Sequence, residues 1–404
     1  MKVVVIGGGA AGLVTAWLLD GAHEVVLLER QEMLGGNIRT LNGNVATTRT
    51  SEKLDAGVIE FERTNCPLVL RMLERLNVEL NEVKGATSYA RPGHPALLSP
   101  GALRHLPRGP RRAMAWGRVL PLRGQVHGFL ARTALPDETL AELEIGQLLR
   151  DDEVSQWLAL LVMYAYSIPR PQIHAVPAVL AVPMLRRFLG AHRWVSVRGG
   201  AYHYVERLLA QFRGQVHTGV EVQSIERRAD GVTLRLSDGT LHADEVVLAT
   251  PPDQVLRLLA SPSEDESRRF GDWAGNHITT TVHCDDGIYD RRGLAVRTEF
   301  DVFDLPHGEG AYNASLNRLC AVNEGSYGLA FGLDDELDPA KVLATVNHHT
   351  PAYTVPALAW RTEVKACNGW NRTWYAGGWL EDGLHEGAVA SALAVARGLG
   401  GAPL

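Results

Sequence analysis

The chain has 404 residues, 46% of them hydrophobic and 21% charged, with a formal net charge of −6. These are globular values, and the length exceeds what one hydrophobic core supports, so two domains are expected. Four widely spaced cysteines with no C-x-x-C pair argue against a disulfide framework or a metal site, and no run of about 18 apolar residues offers a membrane-spanning helix.

Lys2–Ile6 is a short β-branched run, the composition of a strand buried on both faces. Gly7-Gly8-Gly9-Ala10-Ala11-Gly12 follows and satisfies G-x-G-x-x-G, Leu13–Leu19 reads as an apolar helix, and His23–Leu28 is a second strand ending on Glu29. In that order Gly7 allows the tight turn, Gly9 admits a pyrophosphate close to the backbone, and Gly12 lets helix pack on strand. A carboxylate closing the second strand accepts from a ribose hydroxyl. The stretch therefore predicts dinucleotide binding. It also lacks a basic region followed by an apolar run and cleavage site, so export by a signal peptide is not expected and the chain reads as cytoplasmic.

Met33–Thr40 contains a Gly-Gly turn, Leu54–Phe61 predicts a short strand in which Gly57 marks a close backbone approach, and Cys66–Leu76 has helical spacing. From 83 to 193 the texture changes to Arg, Pro and Leu. Proline at 169, 171, 177 and 183 is expected to interrupt long helices, and Trp157–Tyr166 is a nearly uncharged run that suits a core or an apolar channel wall. Between Glu82 and Asp137 there is no acidic residue but nine Lys and Arg, so the rest of the chain carries −15. Segment 84–132 could dock on an anionic membrane surface or an acidic carrier protein, or simply be a solvated arginine-rich face. No nucleic-acid motif accompanies it.

Regularity returns at Trp194. Val195–Arg198, Val216–Val222, Gly231–Leu236 and Asp244–Ala249 read as strands, and Tyr202–Phe212 as a helix. Residues 260–355 are mixed, with strand-like Ile278–His283 and Tyr327–Phe331. His283 suits a packed, hydrogen-bonded position or a substrate pocket. Tyr312, Asn313 and Asn317 could line such a pocket or satisfy loop backbone. The end repeats the logic of the beginning, as Trp374-Tyr375-Ala376, glycine-rich turns and the alanine-rich helix Ala388–Leu399 give a second strand–turn–helix element. Two such elements at opposite ends of the chain suit a long cofactor, and FAD fits better than NAD. The reading is α/β: a discontinuous Rossmann-like FAD-binding domain (1–82, 194–259 and 356–404) with a parallel sheet and flanking helices, and an α+β substrate domain (83–193 and 260–355).

The stretches VVVIGGGAAGLVTAWLL, LERQEMLGGNIRT, LDAGVIEFERT, VRGGAYHYVERLLAQF, GVEVQSIERRADGV, DEVVLATPP and WYAGGWLEDGLHEGAVASALAVA resemble, in order, the flavin amine-oxidase superfamily. The resemblance is closest to a bacterial branch described as predicted NAD/FAD-binding proteins, some of which accompany lipid methyltransferases. It implies an amine-oxidase/p-hydroxybenzoate-hydroxylase-like architecture and these FAD contacts. Gly7, Gly9, Ala11 and Gly12 would cradle the pyrophosphate, Glu29 with neighbouring Arg30 would hold the adenosine ribose, and Val222 would meet adenine through its backbone. Gly36, Asn37 and Arg39 would line the phosphate and ribityl region, and Gly57, Val58 and Ile59 would face the isoalloxazine. Gly378, Trp379, His385, Glu386 and Ala388 would lie by the ribityl chain and pyrimidine edge. His385 is the one candidate catalytic residue, handling a proton or orienting O2, unless its ring only fixes the turn.

The departures from the superfamily matter. Asn37 stands where Arg is usual, Trp379 where a Glu accepts from the ribityl chain, and Leu384 where amine oxidases place an aromatic. No lysine lies between Lys84 and Lys341, and no cysteine matches a covalent flavin site. These losses weaken amine oxidation and favour non-covalent FAD and hydride removal from an apolar, acyl-like or polyene substrate. Redox-neutral isomerisation, amine oxidation and a non-catalytic FAD-binding role are the alternatives.

Overall fold

The computed structural model describes residues 1–190, 193–292, 294 and 296–404. A five-stranded parallel sheet runs in the order Thr373–Tyr375, Glu245–Leu248, Lys2–Ile6, Glu24–Leu28, Gln215–His217. The first strand is thus central, paired Val3 to Glu245 on one side and Val3 to Val25 on the other. Its alternate residues serve two cores. Val3 and Val5 pack with the helices Ala10–Leu19, Tyr202–Leu209 and His385–Gly398, while Val4 and Ile6 face the hairpin strands Val222–Arg228 and Gly231–Leu236. Burial on both faces explains the unbroken β-branched run.

A seven-stranded mixed sheet forms a second layer, in the order Val342–Ala352, Ala274–His283, Gly328–Phe331, Gly310–Ser315, Phe300–Asp304, Thr87–Ala90, Leu97–Leu98. Phe300–Asp304 pairs parallel with Thr87–Ala90, and the other neighbours are antiparallel. A three-stranded antiparallel sheet, Glu60–Glu62, Trp194–Val197, Leu80–Val83, links 60–83 to the return of the chain at Trp194. The architecture is the α/β fold with a parallel sheet and additional antiparallel sheets that the sequence predicts.

Three local expectations are corrected. Leu54–Phe61 is a strand only from Glu60; before that, Ala56 N–H donates to Arg39 O and Val58 N–H to Asn37 O, so the segment clasps the Gly-Gly turn rather than a sheet. Val216–Val222 is two elements, because Gly219 turns the chain at φ +69° between the parallel-sheet edge and the hairpin. Pro183 lies inside the helix Ala178–Leu189 instead of ending it, at the loss of one backbone hydrogen bond.

Elsewhere the residues fall into plain structural roles. The helix Glu153–Tyr166 buries Trp157 to Met163 and turns Tyr164 and Tyr166 toward the cavity described below. His283 is packed, its Nδ1 accepting from Asp285 N–H and its Nε2 meeting Asn313 Oδ1 at 2.9 Å. Asn317 serves loop backbone at Val322, Gly325 and Tyr327.

A carboxylate ties the C-terminal helix to the helix Pro67–Arg75. The helix Pro67–Arg75 has no side-chain cap of its own, and Glu386 accepts from Leu68 N–H and Val69 N–H, both at 2.9 Å. A carboxylate on two orphan donors at a helix N-terminus is stabilising through both hydrogen bonding and the helix dipole. Glu386→Ala is expected to lower the stability of the FAD-free chain by about 1–2 kcal/mol, with Glu386→Gln losing less, as read by urea unfolding.

Candidate active site

The first turn and the Gly-Gly turn meet backbone to backbone. Gly35 N–H donates to Gly8 O at 2.7 Å, and a Cβ on Gly36 would sit 2.9 Å from the Gly9 Cα. A Cβ on Gly12 would fall 1.8 Å from Gly7 O, so helix and turn pack only without a side chain there. From this clasp a cavity of about 450 Å3 extends through the molecule.

Gly7, Gly9, Ala11, Glu29, Arg30, Gly36, Asn37, Arg39, Gly57, Val58, Ile59, Val222, Gly378, Trp379, His385, Glu386 and Ala388 all line it. Gly12, alone of the sequence-derived set, lies behind the wall as packing. The structure thus brings together residues from five separated stretches of chain. It also shows what several of their side chains do. Glu29 Oε2 accepts from Gly8 N–H at 2.7 Å and Oε1 from Gln31 N–H at 2.8 Å, holding the carboxylate at the end of the second strand with lone pairs to spare. Asn37 Nδ2 donates to His349 O. Glu386 turns its carboxylate to the neighbouring helix, where it accepts from Leu68 N–H and Val69 N–H. Trp379 packs between Phe270 and Trp273, with its indole N–H buried and without an acceptor among the described residues.

These features fit FAD. Arg39 is 4% exposed, lines the cavity and has no carboxylate within ion-pair distance among the described residues. It donates only to Gln31 Oε1 and Leu34 O, and burial pulls its pKa down. A buried guanidinium whose opposing charge, Glu29, lies beyond ion-pair distance is unfavourable, and a pyrophosphate beside the Gly9–Gly36 clasp would relieve it. At the other end, Asp382 Oδ1 accepts from Leu384 N–H and Gly387 N–H, fixing the turn into the C-terminal helix.

His385 sits at the start of that helix with Nε2 2.8 Å from Tyr204 Oη and its ring against Phe61. Burial pushes its pKa down to about 4, so the imidazole is neutral. A second neutral histidine was not predicted as a site residue. His348 Nε2 bonds Thr280 Oγ1, which donates on to Ala56 O, and the imidazole edge stands over Gly57. Its pKa is pushed down to about 4, by burial first and then by Arg39.

Beyond Gly57 the cavity opens between Tyr164, Met184, Phe188, Trp194, Tyr312 and Leu329. Tyr164 stacks edge-on against Tyr312. Two polar groups interrupt this wall. Arg187 stands 3.7 Å from Asp382, and Glu60 accepts the Tyr164 hydroxyl on both oxygens at 3.0 and 3.1 Å. Glu60 was missed by sequence reasoning, although a lone acid between Ile59 and Phe61 directly after Gly57 was the signal. No lysine lines the cavity among the described residues.

Burial, with a smaller contribution from Asp55, pushes the Glu60 pKa up to about 7. Between the unfolded value of 4.5 and about 7 the folded chain holds a proton that the unfolded chain has lost. The stability Glu60 contributes is therefore present below the unfolded value and lost as pH rises through about 7. In urea unfolding of the FAD-free chain, Glu60→Gln is expected to remove on the order of 2 kcal/mol of the stability lost between about pH 5 and about pH 8.

Comparisons with known proteins agree with this geometry. The family model described as flavin containing amine oxidoreductase matches residues 10–282. The flavin-dependent L-tryptophan oxidase RebO of Lentzea aerocolonigenes is 26% identical over 327 residues, covering 72% of this chain and 67% of that protein. Among solved structures, putrescine oxidase bound to putrescine superposes with a TM-score of 0.69 at 14% identity, covering 98% of this chain and 99% of that one. A fatty acid isomerase of P. acnes that produces CLA gives 0.68 at 16% identity, covering 98% of each chain. At such identities the two structures speak for the fold alone. With the family model spanning more than half its length, the chain belongs to the flavin-containing amine oxidoreductases and is an FAD-dependent oxidoreductase.

Proposed function

We propose that the chain withdraws a hydride from a largely apolar substrate of acyl or polyene type, with FAD held non-covalently. The observation that carries this reading is the chamber beyond Gly57, whose wall is aromatic and aliphatic and whose flavin-side turn presents Leu384. Bound FAD supplies the hydride acceptor. The protein's own part is to bind, orient and exclude water. The Gly9–Gly36 clasp and Arg39 would hold the phosphates, and His385, Glu386 and Ala388 at the start of His385–Gly398 line the same cavity. The bonds from Tyr204 and the packing on Phe61 support His385 as a neutral group that fixes the turn, rather than as a proton carrier.

Glu60 and Tyr164 offer one polar anchor in this chamber and Arg187 another, which suits a substrate with an apolar body and a polar end. Isomerisation is the second reading, because the fatty acid isomerase has the same fold and the same chamber would hold a substrate whose hydride is returned. No described helix is long and apolar enough to cross a membrane, and the four cysteines are free thiols, which supports the expectation of a reducing, cytoplasmic setting.

Anaerobic mixing with panels of unsaturated acyl, polyene and amine compounds decides between these readings. Bleaching of the oxidised flavin band by an acyl or polyene compound, with a product lighter by two hydrogen atoms, is the expected result. A product of unchanged mass with no net bleaching would mean isomerisation, and bleaching by amines alone would overturn the proposal.

Non-covalent binding is tested separately. Cys66 lines the cavity, but burial pushes its thiol up to about 12, so almost no thiolate is available. Acid precipitation is expected to release all the flavin into the supernatant as FAD, leaving a colourless pellet.

A further inference from the structure

Segment 84–132 gives the last two strands of the seven-stranded sheet, Thr87–Ala90 and Leu97–Leu98, and then three short helices, Pro100–His105, Pro110–Val119 and Arg123–Arg132. Pro110–Val119 has two faces. Ala115, Trp116 and Val119 pack, half-buried, on the small cluster of Ala86, Leu98, Ala102 and Leu103. The adjoining, outward side carries Arg111, Met114 and Arg118 at helical spacing, all exposed. No residue of this helix is fully buried. Arg104, Arg108 and Arg123 are exposed on the flanking elements. None of these five arginines has a hydrogen bond or ion pair among the described residues, whereas Arg91 and Arg132 are engaged elsewhere by Glu153 and Leu148 O.

Among these charges stand two of the large hydrophobic side chains the molecule leaves in solvent, Met114 at 58% exposure and Leu120 at 48%. An arginine-rich surface meant only for solubility gains nothing from them. An interfacial helix needs both, with cations for phosphates and apolar side chains for the acyl boundary. Charge placement adds direction. Because the rest of the chain carries a net −15, an anionic surface attracts this segment and on average repels the remainder.

We propose that the outer face of residues 104–123 docks the protein on an anionic phospholipid surface, with Met114 and Leu120 entering the headgroup boundary and Arg104, Arg108, Arg111, Arg118 and Arg123 pairing with lipid phosphates. The proposal is independent of the substrate reading, since no residue of this face lines the cavity. It favours a membrane over an acidic protein because the apolar side chains are single and interleaved with the charges, not gathered into a pocket.

The test is co-sedimentation of the FAD-loaded protein with vesicles of phosphatidylglycerol and phosphatidylcholine, compared with phosphatidylcholine alone and with soluble polyglutamate. Binding to the anionic vesicles only, weakening as salt rises, is expected. R111E/R118E should reduce the partition coefficient at least about tenfold, and M114S/L120S should reduce it while leaving the charge unchanged. Both variants change exposed side chains and should keep the flavin spectrum of the parent. Failure to sediment with anionic vesicles at low salt would overturn the proposal. So would binding that R111E/R118E leaves intact, or polyglutamate binding as tight as vesicle binding with no effect of M114S/L120S, which would make the partner an acidic protein.

Discussion

The structure depends on the contact between two glycine turns. Where Gly9 and Gly36 approach, any side chain on Gly36 would collide with backbone, and backbone cannot give way as a flexible side chain can. Because the turns touch, the cavity floor is main chain, and its polar groups are aimed by secondary structure rather than by rotamers. The segment before Glu60 is recruited to the same clasp through Ala56 and Val58, and Asp55 extends it to the helix Tyr202–Leu209 by accepting from Thr40 Oγ1 and Ala201 N–H. Three stretches distant in sequence thus share one rigid core around the cofactor end of the cavity.

That part of the molecule was legible in the sequence because its determinants are local. Strand, glycines, helix and terminal Glu29 follow one another within thirty residues, and each constraint acts on near neighbours. What the sequence concealed was long-range. The carboxylate of Glu386 follows a glycine turn and reads as a cofactor contact, yet the helix it caps lies more than 300 residues earlier. Glu60 and Tyr164 meet across 104 residues, from a strand and a helix whose relative placement no periodicity reveals. The strand misread over Leu54–Phe61 failed for the same reason: Leu54–Ile59 has the residues of a strand, but its backbone partners are the turn at Asn37 and Arg39.

Membership of an oxidoreductase family leaves the chemistry of the chamber open. Under the resemblance read from the sequence, Trp379 would stand in the place of a carboxylate and Leu384 in that of an aromatic, and the cavity wall has no lysine among the described residues. Glu60 and Arg187 are charged residues of the same wall. The cofactor end is held by backbone that tolerates little variation. The chamber is built from side chains on the helices Glu153–Tyr166 and Ala178–Leu189, which can change without disturbing the clasp.

The central position of Lys2–Ile6 in the parallel sheet has a consequence for biosynthesis. Its neighbour on one side, Glu24–Leu28, is made at once, but the strand on the other side, Glu245–Leu248, leaves the ribosome more than 200 residues later, and Thr373–Tyr375 near the very end. At ordinary elongation rates that delay is roughly tens of seconds, during which an apolar strand keeps an unpaired edge. The parallel sheet is therefore closed around its first strand only by pairings of long sequence separation, Val3 to Glu245 and Val246 to Thr373.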